Sequence, residues 1–129
     1  MRQVQFEVRP CDDGGSELVV RVNGVELVDL VERYEHSEGF KPAGAYAGLS
    51  TNSSEFADFR VYRAGERYPL LGCDCGTAGC WPLMARIQAD AEAVTWDSFG
   101  QPFRPQWDYS GFGPFVFDRA QYDEALLVL

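Results

Sequence analysis

The chain contains one lysine, one histidine, one isoleucine and two asparagines. No apolar run approaches the ~18–20 residues that cross a bilayer. Cations are scarce: eleven Lys and Arg stand against twenty Asp and Glu, a net charge of −9. Binding to duplex nucleic acid needs clustered cations that displace counterions, so nucleic acid is excluded as a partner. The same balance disfavours anionic membrane surfaces. The single histidine, His36, leaves little material for histidine-based catalysis. No G-x-S-x-G elbow presents a nucleophile to it, and its place at the end of a predicted helix suits a partner for the helix dipole. No Rossmann or Walker element occurs. Ser110-Gly111-Phe112-Gly113 lacks the Lys and the following Ser/Thr of a phosphate loop. Asp12 and Asp13 lack calcium-loop spacing. The opening residues, MRQVQFEVRP, are interrupted by polar side chains at every second position, which a signal peptide's apolar core does not allow. The expectation is a protein of the cytoplasm that does not enter membranes.

The 129 residues fit one domain, residues 1–129, and apolar residues at 46% with aromatics at 14% exclude a disordered chain. Val4, Phe6 and Val8 alternate with polar neighbours, which predicts a half-buried strand ended by Pro10. Leu18, Val20 and Val22 form the inner row of a second strand. Asn23-Gly24 supplies the two positive-φ residues of a type I′ turn, with a very short third strand beyond it. Leu27, Leu30, Val31 and Tyr34 then mark one face of a helix, and Gly39 suits the left-handed position after its last turn. Glu26, Asp29, Glu32, Glu35 and Glu38 recur every three residues and read as a solvated face. Lys41 to Ser54 reads as a loop pinned by Tyr46 and Leu49. Ser54 to Tyr62 leans to a short helix, and Tyr68-Pro69 opens an extended stretch. Leu83, Ala85, Ile87 and Ala89 alternate with their neighbours, as do Val94, Trp96 and Ser98, which predicts an antiparallel hairpin. Phe115 and Phe117 mark a last strand. Asp118 caps a closing helix, with Gln121 completing a capping-box-like pair and Tyr122, Ala125, Leu126 and Leu129 on one face. The fold class is α+β: an antiparallel sheet built from hairpins, with two or three short helices packed on one face.

Residues 72–82 read GCDCGTAGCWP. Cys73 and Cys75 share a face of an extended backbone, and Gly76 and Gly79 let Cys80 return toward them. Three readings stay open. The thiols pack as small hydrophobes; they hold a structural zinc with an unidentified fourth ligand; or they form a disulfide or redox pair. Asp74 raises neighbouring thiol pKa values by like charge and attracts a cation.

Residues 100–114, GQPFRPQWDYSGFGP, concentrate Pro, Gly and aromatic rings. Phe103, Arg104, Trp107 and Tyr109 are types enriched at protein-binding hot spots. The competing reading folds these rings inward as a lid over the sheet, with Trp81 and Trp96 beneath.

Three segments, LLGCDCGTAGCWPL (70–83), WDYSGFGPFVFDRAQYDEAL (107–126) and VNGVELVDLVERYE (22–35), resemble a family of small uncharacterised proteins of high-GC bacteria. The resemblance covers most of the chain and rests on a GC-x-CG-x-x-GCWP element, a WDYSG-x-GPF stretch and an FDRAQY helix start. It implies a shared fold and no catalytic role. It also implies Pro-His-Arg where this chain has Pro102-Phe103-Arg104, so that Phe103 removes a potential fourth ligand to the thiols.

These features define the functional expectation. The leading reading is a small acidic interaction or regulatory module with a structural cysteine cluster. It would dock a partner protein, steered toward a basic one, through Phe103, Arg104, Trp107 and Tyr109. The alternative is a thiol-redox or zinc-dependent protein using Cys73, Cys75 and Cys80.

Overall fold

The computed structural model describes residues 1–12, 14–73 and 82–129. The α+β architecture is present, with its strands divided between two antiparallel sheets. The first sheet holds β1 (Val4–Pro10), β2 (Ser16–Val22) and β3 (Val25–Glu26), followed by helix α1 (Leu27–Ser37). The second runs in the order β4 (Tyr46–Gly48), β5 (Glu66–Cys73), β6 (Leu83–Ala89), β7 (Ala93–Gly100) and β8 (Phe115–Asp118). Helix α2 (Ser54–Arg60) precedes β5, and α3 (Arg119–Leu126) follows β8.

Local chemistry sets most of these boundaries. Asn23 and Gly24 both take positive φ and close the β2–β3 turn. Gly39, at φ +75°, follows the last turn of α1. Ser53 caps α2 by accepting from Phe56 N, and Asp118 caps α3 by accepting from Gln121 N. The Gln121 side chain does not complete a capping box. Its amide instead pairs with the backbone of Val4, accepting from Val4 N at 3.0 Å and donating to Val4 O at 2.6 Å. One side chain thus does the work of a neighbouring strand.

Three expectations are corrected. The stretch from Lys41 to Ser54 contains β4, whose small Tyr-Ala-Gly sequence carries little strand signal. In β7, Ser98 takes φ +53° and the register with β6 shifts between Met84 and Arg86. That irregularity turns Ser98 outward and Phe99 inward, the reverse of simple alternation. In β1, Val8 lies beyond the covered part of the strand and is exposed.

The two sheets are joined at both ends. Leu18 N donates to Leu49 O, and Thr51 N to Ser16 O, which links β2 to the residues just after β4. At the other end Arg2 N donates to Val116 O in β8. The pairing therefore runs β1-β2-β4-β5-β6-β7-β8, and Arg2, just ahead of β1, brings it back to its start. Inside this ring Phe6, Phe59, Trp96, Phe117 and Tyr122 meet mostly edge to face at 4.8–6.2 Å. Trp96 Nε1 donates to the Tyr122 hydroxyl, so both polar tips are satisfied within the core. No helix among the described residues is long and apolar enough to cross a membrane.

Candidate functional site

The Pro- and aromatic-rich segment after β7 lies along an open groove of about 780 Å³. Arg67, Ser98 and Phe99 form part of its lining, with Pro102, Pro105 and Asp108 contributed by the segment itself. Of the four residues expected to bind, three face outward to some degree. Phe103 is 63% exposed. Trp107 is half-buried, and the Arg104 guanidinium lies 4.1 Å over its ring. Trp107 also packs within the protein: Phe40 stacks on the indole at 4.7 Å, nearly parallel. Arg104 also donates to Pro42 O. The loop thus contributes both to the core and to the surface.

Tyr109 is the correction among the four. It is only 3% exposed, and its hydroxyl points away from solvent to Glu35 Oε2 at 2.5 Å. A side chain so placed shapes the groove from beneath and offers no contact of its own to a partner.

Glu35 overturns a second expectation. It is fully buried, whereas the three-residue acidic spacing suggested a solvated face. Its Oε1 accepts from Gly44 N at 2.8 Å, and its Oε2 accepts from the hydroxyls of Tyr46 (2.8 Å) and Tyr109. Gln101, 2% exposed, extends the cluster: Nε2 donates to the Tyr46 hydroxyl and Oε1 accepts from Phe103 N. Burial pushes the Tyr46 phenol up to about 12, opposed by its hydrogen bonds with Tyr109 and Gln101. Burial, reinforced by Glu35, pushes the Tyr109 phenol up still further. Both hydroxyls are therefore held as proton donors across the ordinary pH range.

The rim of the groove is polar. Asp108 is exposed, and the backbone N–H of Ser110 holds its carboxyl below the usual carboxylate range. Arg67 spends one guanidinium N–H on Ser98 O at 2.6 Å. His36 is exposed in the last turn of α1, 3.8 Å from Glu32.

Of the cysteine cluster, Cys73 ends β5 opposite Tyr46 in β4 and is half-buried. Cys75 and Cys80 lie outside the described residues, as does Trp81. Among the described residues no group of three His, Cys, Asp or Glu side chains is placed to hold a metal ion.

Comparison with protein-family models, with curated proteins and with solved structures finds no match for this chain.

Proposed function

We propose that this chain is a protein-interaction module that docks a basic segment of a partner protein in the groove beside residues 101–109. The observation that carries the reading is the loop's outward face: Phe103 exposed, and Trp107 stacked on Phe40 and contacted by the Arg104 guanidinium along an open groove. A ring fixed by two partners loses little freedom on binding, which favours its use as an anchor. Charge argues for the partner's sign. It acts at long range: the chain carries −9 and Asp108 stands ionised at the rim, while Arg67 and Arg104 keep their positive charge and are held in place by the carbonyls of Ser98 and Pro42.

Calorimetric titration with peptides that combine Arg or Lys with aromatic residues tests this proposal. Binding should weaken as salt rises. Phe103→Ala and Trp107→Ala should each weaken it by about tenfold or more, the usual loss at a hot spot. Failure of every such peptide to bind, or an affinity in both variants equal to that of the parent chain, overturns the docking reading.

The thiol and zinc alternative rests on Cys73, Cys75 and Cys80 acting together. Native mass spectrometry of freshly reduced protein separates the cases: one zinc per chain supports a metal site, and none with slow thiols leaves packing alone.

A further inference from the structure

We infer that Glu35 is a positioning residue, a buried latch through which helix α1 holds the docking loop in its groove-forming shape. The inference rests on the docking reading for its purpose, and on geometry alone for its mechanics.

Three segments distant in sequence converge on this one carboxyl. From α1 comes Glu35 itself. From the approach to β4 comes Gly44 N, from the first residue of β4 the Tyr46 hydroxyl, and from the docking loop the Tyr109 hydroxyl. The β4 side is held in a costly conformation. Ala45 lies between the two groups that Glu35 grips and has φ +68°, a region in which a side chain is strained. Such a residue persists only where its neighbours are fixed, and here Glu35 fixes both. Tyr46 then passes the constraint onward through Gln101 Nε2 to the loop's first turn, where Gln101 Oε1 holds Phe103 N. The loop is therefore gripped at both ends of its exposed stretch, at Gln101 and at Tyr109, with Phe103, Arg104 and Trp107 between them.

A second tie runs from α1 to the same loop: the Tyr34 hydroxyl donates to Asp108 O at 2.7 Å. That bond is exposed, and water can replace it. The bonds at Glu35 are buried, and water cannot replace them without opening the cluster. The two ties thus make unequal predictions.

Hydrogen exchange on the free chain reads the latch without any partner. The reporters are Arg104 N, Trp107 N and Phe112 N, which donate to Gln101 O, Arg104 O and Tyr109 O. In Tyr109→Phe these amides should exchange about tenfold faster or more, beyond any change in the β6–β7 ladder. Tyr34→Phe should accelerate them less. Glu35→Leu removes both acceptor oxygens at similar size, and Tyr109→Phe added to it should produce little further change, because both remove the same link. Unchanged loop exchange in Tyr109→Phe, equal acceleration across loop and ladder, or a larger effect from Tyr34→Phe overturns the latch. The peptide titrations stand apart from this. If the loop loosens as expected and no peptide binds, the latch holds and the docking reading falls.

Discussion

At position 48 a side chain would have nowhere to go. A Cβ built on Gly48 would sit 1.9 Å from Leu18 O, the carbonyl of the strand that the end of β4 joins. Gly48 N meanwhile donates to Glu17 Oε2, so the backbone cannot retreat without losing a bond. Gly48→Ala should therefore destabilise the protein by more than about 3 kcal/mol, the range reached when a packed region must rearrange. Chemical denaturation measures it, and a midpoint within error of the parent chain's would show that β2 and β4 do not approach as closely as described. Glu35 teaches a related lesson about what a residue's type conceals. Its three-residue spacing from Glu32 and Glu38 suggested solvent, yet on a helix each such step turns back by about 60°. Glu35 accordingly falls only about 40° from Val31 around α1, at the margin of the buried face. The periodicity carried that information. What it lacked was the partner set, because Gly44, Tyr46 and Tyr109 reach Glu35 only through tertiary folding. Tyr109 was misplaced for the same reason: hot-spot composition describes the ring and says nothing of where the hydroxyl is pulled.

Elements with a strong local signal were legible from the chain alone. The β1–β2 and β6–β7 hairpins, α1 and the capped start of α3 follow from alternation, helical spacing and a turn of Asn-Gly. β4 was not, since three residues of Tyr-Ala-Gly form a strand only because β5 offers them an edge. The inversion of Ser98 and Phe99 likewise needs the partner strand, whose register shift absorbs the additional residue. The start of α3 permits a test at this scale. Gln121 bonds both backbone groups of Val4, so Gln121→Leu leaves a donor and an acceptor at the start of β1 without partners. It should cost about 1–3 kcal/mol and speed exchange at Val4 N selectively. A loss that spared Val4 N would place the effect in helix propensity instead. Asp118→Ala, which removes only the cap, should cost about 1 kcal/mol and leave the Val4 amide protected.

Across the whole molecule, the six tyrosines report how tightly the interior is closed. Burial raises Tyr46 to about 12 from an ordinary 10.0, and raises Tyr109 and Tyr122 further. An acid whose folded pKa is raised keeps its proton in the folded chain while the unfolded chain releases it. The associated stability is complete below pH 10 and falls as pH rises through the folded value. For Tyr46 alone the loss by pH 12 is on the order of 3 kcal/mol. Tyrosinate absorbance should therefore rise in two stages, with Tyr46, Tyr109 and Tyr122 ionising only as the protein unfolds. Smooth titration of all six near pH 10, with circular dichroism unchanged, would contradict the buried placement of these hydroxyls.

The return of pairing from Arg2 to Val116, and of the Val4 backbone to Gln121, sets the order in which the molecule can be completed. As the chain leaves the ribosome, β1 and β2 can zip together early, because only a short turn separates them. The opposite border of β1 must wait until Gln121 has been synthesised, 117 residues later. Contacts so remote in sequence slow folding, since the entropy of closing a long loop is lost before the reward arrives. Until Gln121 emerges, then, the nascent chain holds β1 with one border bare, the state in which chaperones would meet it.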